Sequence, residues 1–329
     1  MRTPRLIAWP TATASTGAAQ AAAEAERAAL VAGLLAQPAQ VSPKYFYNAL
    51  GAHLFGAITE LDEYYPTRTE AAIFSRHGAA IAAAVHAVLP SGHALVDLGA
   101  GDGAKAEALF PLLAPGRYVA VDIGLAYLGT ALARMQQRHP QLELVGVGLD
   151  FSTELALPPG LVQGPSLVFY PGSSIGNFGP GESLRLLRQA RAVAAGGALL
   201  IGVDLAKPRA VLEAAYDDAL GVTAAFNLNL LRHVNRVLGS DFEPRDWQHV
   251  ALFDEPHARI EMHLQARRDL CVRWPGAERR FAAGERLLTE YSYKWTVEGF
   301  AAVLRDAGYA RVQHWSDERD WFAVMLAWG

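Results

Sequence analysis

The chain has one cysteine, Cys271, in 329 residues. That excludes an internal disulfide and fits a reducing compartment. Neither sign of charge dominates: 29 Lys and Arg stand against 33 Asp and Glu, a formal net charge of −4. No basic footprint therefore suits a nucleic-acid backbone or an anionic membrane. No unbroken apolar run approaches the ~18 residues of a membrane span. The apolar stretch at residues 6–9 is shorter than the ~7–15 residues of a secretory signal core. Internal repeats and long low-complexity linkers are also missing. These absences lead us to expect a cytoplasmic protein with no nucleic-acid or membrane partner. What the chain does have is 51% hydrophobic and 19% charged residues, enough for a large core. At roughly 150 residues per domain, two domains are expected.

Residues 11–40 are alanine-rich and end in a helical apolar pattern around Leu30, Val31, Leu34 and Leu35. They read as an N-terminal arm and a packing helix, with the arm and helix assigned to residues 1–41. Residues 42–75 gather Tyr45, Phe46, Tyr47, Tyr64 and Tyr65 without a regular period, which suits either a core or the lining of a concave site. Short apolar runs then recur at residues 94–98, 117–123, 142–147, 166–170 and 197–204. The segments between them carry helical spacing; Leu184, Leu187, Ala190 and Val193 form one such stripe, with Arg185, Arg188 and Arg191 on a solvated face. This alternation implies an α/β fold with a doubly wound parallel sheet. It breaks between residues 206 and 294, which read as an inserted α+β domain. It resumes with a helix capped by Thr296 and ended by Gly308, then strands near 310–315 and 321–327.

The first strand runs into DLGAGDG at residues 97–103. Gly99 and Gly101 let backbone lie close to a ligand, although alone they also satisfy a loose dinucleotide pattern. Asp97 beside that turn favours S-adenosylmethionine over NAD, because an acid holds an ammonium and repels a pyrophosphate. Asp122 ends the second strand and can accept from two ribose hydroxyls. Asp150 and Phe151 end the third, where a carboxylate can take an adenine amino group and a ring can stack. Each aspartate alone could be a turn former; three on successive strand ends suggest a shared crevice. The loop after the fourth strand carries Asn177, which can donate from its amide or cap the next helix.

Six further motifs are more specific: YYPTR at 64–68, GSSIGN at 172–177, AYDD at 215–218, GVTAAFN at 221–227, RIEM at 259–262 and TEYS at 289–292. With these, residues 42–329 resemble the bacterial L-histidine Nα-methyltransferases of ergothioneine biosynthesis. The resemblance implies a methyltransferase-type Rossmann domain over 42–205 and 295–329, with a substrate domain inserted at 206–294. It implies three successive methyl transfers to the histidine α-amine, through the mono- and dimethyl forms, giving hercynine and S-adenosylhomocysteine. Cofactor positions fall on Gly99, Lys105, Asp122, Asp150 and Phe151. The histidine carboxylate falls to Asn177 and Tyr216, and the imidazole to Glu290 and Ser292 with Met262 beside them. Tyr47, Phe55 and Tyr64 match aromatic positions around the amine. The sequence departs from the family at Trp295 and at Leu61-Asp62, away from the ring-reading pair.

The chemistry is consistent with these residue types. In-line displacement gains chiefly from positioning. A tyrosine such as Tyr47 or Tyr64, or water, can accept the departing proton, and aromatic rings suit a quaternary ammonium. Glu290 and Ser292, two apart, share a face in an extended segment. His233, His249, His257 and His263 show no tight ligand spacing, so no metal is expected. A monomer is expected. The alternatives are the same chemistry on another amino acid such as tryptophan, an S-adenosylmethionine-binding module without turnover, and a nicotinamide oxidoreductase.

Overall fold

The computed structural model describes residues 2–9 and 16–329; residues 10–15 of the expected arm lie outside them. The first part of the chain forms β1 (Arg5–Ala8), α1 (Thr16–Leu35), β2 (Ala39–Gln40), α2 (Ala49–Thr59) and α3 (Tyr65–Val88). Next come β3 (Ala94–Leu98), α4 (Ala104–Leu113), β4 (Arg117–Asp122), α5 (Leu125–Arg138), β5 (Glu143–Gly148), β6 (Leu167–Tyr170), α6 (Pro180–Ala194) and β7 (Ala198–Asp204). Then follow α7 (Arg209–Tyr216), α8 (Val222–Leu238), β8 (Trp247–Asp254), β9 (Arg259–Ala266), β10 (Leu270–Trp274), β11 (Ala277–Phe281) and β12 (Arg286–Tyr293). The chain ends with α9 (Val297–Asp306), β13 (Arg311–Ser316) and β14 (Phe322–Trp328).

Two compact units result. One comprises Met1–Ala12, Arg68–Ala206 and Trp295–Gly329; the other comprises Thr13–Thr67 and Lys207–Lys294. This division departs from the expected one in three places, the first being that residues 16–41, expected as a separate arm and helix, fall in the second unit. Residues 42–67, expected with the Rossmann domain, group with 207–294, because their aromatic side chains pack on α8: Phe46 stacks on Phe226 with centroids 4.5 Å apart. Asn229 also donates to Asn48 Oδ1 at 3.0 Å. The N-terminal residues 5–8, expected in an arm, form an edge strand parallel to β5. Four residues with mostly exposed side chains leave too little apolar pattern to reveal such a strand.

The first unit is built on an eight-stranded sheet in the order β1-β5-β4-β3-β6-β7-β14-β13. Its pairs are parallel up to β7, and β14 runs antiparallel to both β7 and β13. Val96, Val119, Val145 and Val168 at the strand centres are wholly buried, as a sheet covered on both faces requires. One face packs on Leu186, Leu187, Phe300 and Leu304 of α6 and α9. The other packs on Ile73, Ile81, Leu109, Leu128 and Leu132 of α3, α4 and α5. Chain order reverses between β3 and β6, the switch point at which such sheets open a crevice for ligands.

The helix ends follow their chemistry. Thr296 Oγ1 accepts from Gly299 N at 3.0 Å at the start of α9, and Gly308, with φ of 101°, follows its end. In α6 the buried line runs through Ser183, Leu186, Leu187, Ala190 and Ala194. It is thus turned slightly from the expected stripe, since Ser183 is drawn inward to donate to Phe178 O at 3.2 Å. Arg185, Arg188 and Arg191 are exposed. Helix α3 is long and apolar enough by composition to cross a bilayer, which unbroken apolar runs did not reveal. It is alanine-rich, and its Ile73, Ile81 and Val85 belong to the core.

The second unit contains an antiparallel sheet, β8-β9-β12, with β2 parallel to β12 at the edge, and the separate β10-β11 hairpin. Helices α7 and α8 pack on β8 and β9. A register shift between Leu288 and Glu290 leaves Thr289 as an extra residue opposite β9. It is held there by its Oγ1, which donates to Met262 O at 3.0 Å. A bulge changes which face later side chains occupy. Leu287, opposite Leu264, and Glu290, opposite Met262, therefore stand on the same face.

Candidate active site

In the first unit, β3 ends in the glycine turn. Gly99, Gly101 and Gly103 have φ of 69°, 57° and 73°, conformations that cost other residues energy. A Cβ on Gly103 would lie 2.7 Å from Met135 Cε and 2.9 Å from the Tyr118 hydroxyl, so space as well as φ demands glycine there. Asp122, at the end of β4, pins this turn: Oδ2 accepts from Gly101 N at 3.0 Å and Oδ1 from Gly124 N at 2.8 Å. Each oxygen keeps a second lone pair for a hydroxyl. Asp150 Oδ1 accepts from the backbone and hydroxyl of Ser152. The Phe151 ring stands edge-on to Tyr170 at 5.8 Å, and its Cζ would lie 3.8 Å from a Cβ on Gly99. Gly99 and Phe151 thus border the same space.

Asp97 is 2% exposed. Its Oδ2 accepts from the Tyr118 hydroxyl at 2.7 Å, while its buried Oδ1 has no hydrogen-bond partner. Burial raises its pKa to about 7, with the Tyr118 bond and the charge of Lys105 pulling the other way. A buried acceptor of this kind is costly unless a donor meets it. The ammonium of S-adenosylmethionine is such a donor, so the residues at this edge fit that group.

Lys105, on α4, donates to Glu70 Oε2 at 2.6 Å, and Glu70 Oε1 accepts from Gly172 N at 2.8 Å. Glu70 is 1% exposed and ties α3, α4 and the loop after β6 together. Sequence reasoning missed it, as it missed Tyr118; an acid in the middle of an alanine-rich helix gives no motif. Asn177 sits in a 3-10 turn of that loop, half-buried. It does not cap α6, whose N-cap is Gly179.

The second unit gathers the remaining residues. The Tyr47 ring lies 5.8 Å from Phe55 and 5.8 Å from Phe226; Phe55 lies 6.2 Å from Tyr64, and Tyr64 lies 6.4 Å from Tyr216. All four pairs meet edge to face. Tyr47 is 43% exposed and Phe226 is buried. The aromatic run leads to a polar one. The Tyr216 hydroxyl and Ser292 Oγ are 2.7 Å apart, and Lys294 Nζ donates to Ser292 Oγ at 2.8 Å and to the Tyr216 hydroxyl at 3.1 Å. Glu290 stands two residues before Ser292 on the same face, with Met262 opposite in register. Burial raises the Glu290 pKa to about 7, against the opposing charge of Lys294. Behind Tyr216, His249 Nε2 donates to its carbonyl at 2.8 Å, and His249 Nδ1 accepts from Asn227 Nδ2 at 2.8 Å. Burial lowers the pKa of His249, which keeps this arrangement neutral. Lys294 was not singled out from the sequence; Phe226 stood there only inside the 221–227 motif, and His249 only among the histidines weighed against a metal. Lys294 extends the alternation Glu290, Ser292, and that spacing was the available signal.

The other histidines take separate partners: His233 the carbonyl of Tyr45, His257 Asp254, and His263 Glu261. Among the described residues, no three His, Cys, Asp or Glu side chains converge as a metal site. Cys271 is a half-buried residue of β10.

A doubly wound sheet with an acid at each of three successive strand ends, one holding an orphaned buried acceptor, is suited to a nucleoside-bearing ligand at its carboxyl edge. A family model described as "Histidine-specific methyltransferase, SAM-dependent" matches residues 26–328, and the chain belongs to that family. It is 40% identical over 317 residues to the histidine N-alpha-methyltransferase of Mycolicibacterium smegmatis, covering 94% of this chain and 97% of that one. It is 38% identical over 303 residues to the histidine N-alpha-methyltransferase of Mycobacterium tuberculosis, covering 90% and 92%. Ergothioneine biosynthesis protein 1 of Neurospora crassa is 28% identical over 88% of this chain and 33% of its own length.

Proposed function

We propose that the protein transfers methyl groups from S-adenosylmethionine to the α-amine of L-histidine, three in succession, giving hercynine for ergothioneine biosynthesis. The observation that carries this reading is the connected cluster in the second unit. There an aromatic run from Tyr47 to Tyr216 leads to the Ser292 hydroxyl, and the buried Glu290 carboxyl stands two residues before Ser292 on the same face. S-adenosylmethionine, when bound, supplies an electrophilic methyl group on a sulfonium. Asp97, Asp122, Asp150 and Phe151, with the turn through Gly99 and Gly101 and with Lys105, would hold it.

The chain's own residues must bind the amino acid, orient its amine and remove protons. Glu290 accepts from the ring N–H while the Ser292 hydroxyl pairs with the other nitrogen, and Met262 packs beside them. Asn177 and Tyr216 take the carboxylate. Starting from an ammonium, each of the three transfers requires one proton to leave the nitrogen first. Tyr47 and Tyr64 place hydroxyls in the aromatic run to receive it, and with Phe55 they offer ring faces to the growing cation. Tyr47→Phe and Tyr64→Phe are each expected to slow all three transfers by ~10-fold or more, read by single-turnover quench. Unchanged rates for all three would remove both tyrosines from the chemistry.

Histidine rather than another amino acid is supported by the donor-and-acceptor pair, since an indole carries one donor and no ring acceptor. Competition between histidine and tryptophan for S-adenosylmethionine tests this: histidine is expected to take nearly all the methyl groups, and comparable consumption of tryptophan would contradict the assignment. The lone cysteine fits a reducing compartment, and we assign the protein, as a monomer, to the cytoplasm.

A further inference from the structure

The carbonyl of the last residue of a helix has no partner within the helix. Tyr216 ends α7, and Asp217 after it leaves the helical conformation with φ of −143° and ψ of 71°. The buried Tyr216 carbonyl therefore needs a donor from elsewhere. His249, 7% exposed on β8, supplies it from Nε2 at 2.8 Å. A carbonyl only accepts, so Nε2 carries the ring proton. Burial keeps the imidazole neutral, so Nδ1 is bare and accepts from Asn227 Nδ2 at 2.8 Å. The second hydrogen of that amide goes to the carbonyl of His263 at 3.0 Å, one residue past Met262 on β9. This line of hydrogen bonds joins α8, β9, β8 and the end of α7, and the direction of each bond is fixed by its neighbours. Beyond Tyr216, Asp218 accepts from Val222 N at 2.9 Å and Thr223 N at 2.7 Å, which ties the following residues to the start of α8.

We propose that His249, held by Asn227, is a positioning residue for the amino-acid substrate: it fixes the end of α7 and so places the Tyr216 side chain for the substrate carboxylate. This rests on the assignment of Tyr216 to that carboxylate. Tyr216 is anchored at both ends, its carbonyl on His249 and its hydroxyl on Ser292 and Lys294. A rigid ring joins the two ends, so a displaced carbonyl carries the hydroxyl with it and moves the ring against Tyr64, 6.4 Å away. Asn227 is wholly buried and follows Phe226, which stands in the aromatic run. The same amide that orients His249 thus comes from the helix that lines the run. Asp217 lies 3.9 Å from His249 Nε2 and is exposed, so the carbonyl of Tyr216 is the closer partner of that nitrogen. The residues assigned to the cofactor belong to the first unit. A fault in this line is therefore expected to change histidine binding and to spare cofactor binding.

The test compares wild type with His249→Leu, His249→Gln, Tyr216→Phe, and His249→Leu combined with Tyr216→Phe. Steady-state kinetics give KM and kcat for histidine, and calorimetry gives binding of S-adenosylhomocysteine. In His249→Leu the histidine KM is expected to rise ~10-fold while kcat changes by less than ~3-fold and S-adenosylhomocysteine binding stays within ~2-fold. Glutamine carries an amide N–H as many bonds from Cβ as Nε2, so His249→Gln is expected to keep the KM within ~3-fold of wild type. Because His249 acts through Tyr216, adding His249→Leu to Tyr216→Phe is expected to raise KM by less than a further ~3-fold. A rise below ~3-fold in His249→Leu, or a further rise of ~3-fold or more in the combined variant, overturns the proposal. If His249→Leu fails to bind S-adenosylhomocysteine, His249→Gln decides: a KM within ~3-fold supports the proposal and a larger rise overturns it. An unchanged KM in Tyr216→Phe defeats the assignment of Tyr216, and the proposal with it. A raised KM in Tyr216→Phe without one in His249→Leu overturns the proposal alone, so the two failures are distinguishable.

Discussion

Glu290→Ala is expected to lower kcat/KM for histidine about 100-fold and to narrow its advantage over larger apolar amino acids, while S-adenosylhomocysteine binding stays within ~2-fold. The magnitude follows from two losses. A charge-assisted hydrogen bond contributes ~1.5–3 kcal/mol, and a ring N–H left unpaired in a buried site costs a further ~1–3 kcal/mol. A competition assay with mixed amino acids reads the selectivity, and an unchanged preference would remove Glu290 from the ring-reading role. The same carboxyl carries a stability cost. Burial lifts its pKa from the ordinary 4.5 to about 7, so above pH 7 the folded chain holds a charge that the unfolded chain carries in water. Its contribution to stability therefore grows as pH falls from about 7 toward 4.5. Glu290→Gln never carries the charge. Without ligand it should be more stable than wild type above pH 7, by an amount on the order of 3 kcal/mol at most, and lose that advantage below 4.5. Thermal melts at pH 8 and pH 4.5 compare the two; a difference in Tm that ignores pH would contradict the account.

Asp122→Ala is expected to weaken S-adenosylhomocysteine binding about 100-fold. Asp122 accepts from Gly101 N and Gly124 N, one on each oxygen, so it holds the glycine turn against the start of α5 as well as offering lone pairs to ribose. Losing two bonds to a charged acceptor amounts to about 3 kcal/mol, which is roughly 100-fold in affinity. Asp122→Asn should fall between alanine and wild type. Its amide keeps one acceptor but turns a donor toward one of the two N–H groups. Calorimetry reads both variants, and an alanine affinity within ~3-fold of wild type would show that Asp122 neither holds the turn nor meets the ligand.

The parts of the fold that were legible in the sequence are those with a strong period or a special residue. Strands β3 to β7 are apolar runs that stay buried on both faces, and the turn after β3 announces itself through glycines that the backbone needs in left-handed conformations. Thr296 and Gly308 marked the ends of α9 for the same reason. Strand β1 was hidden because it is short, exposed and at an edge. The grouping of residues 42–67 with 207–294 was hidden because ring-on-ring packing such as Phe46 on Phe226 joins segments far apart in the chain. The bulge at Thr289 could not be read from alternation, since it breaks alternation; it nevertheless decides that Leu287 and Glu290 share a face. Most residues proposed for amino-acid recognition, such as Tyr64, Asn177, Tyr216, Glu290 and Ser292, stood in motifs, whereas those that hold other side chains from behind did not. Glu70, Tyr118, His249 and Lys294 act through hydrogen bonds to other residues, and only three-dimensional contact exposes such partners.

The most direct test of the central claim is mass spectrometry, with fragmentation, of histidine incubated with the purified protein and S-adenosylmethionine. The account predicts species with one, two and then three added methyl groups, all on the α-nitrogen and none on the ring, with the trimethyl form as the end product. Methyl groups on a ring nitrogen, or histidine recovered unmodified while S-adenosylmethionine remains intact, would contradict it.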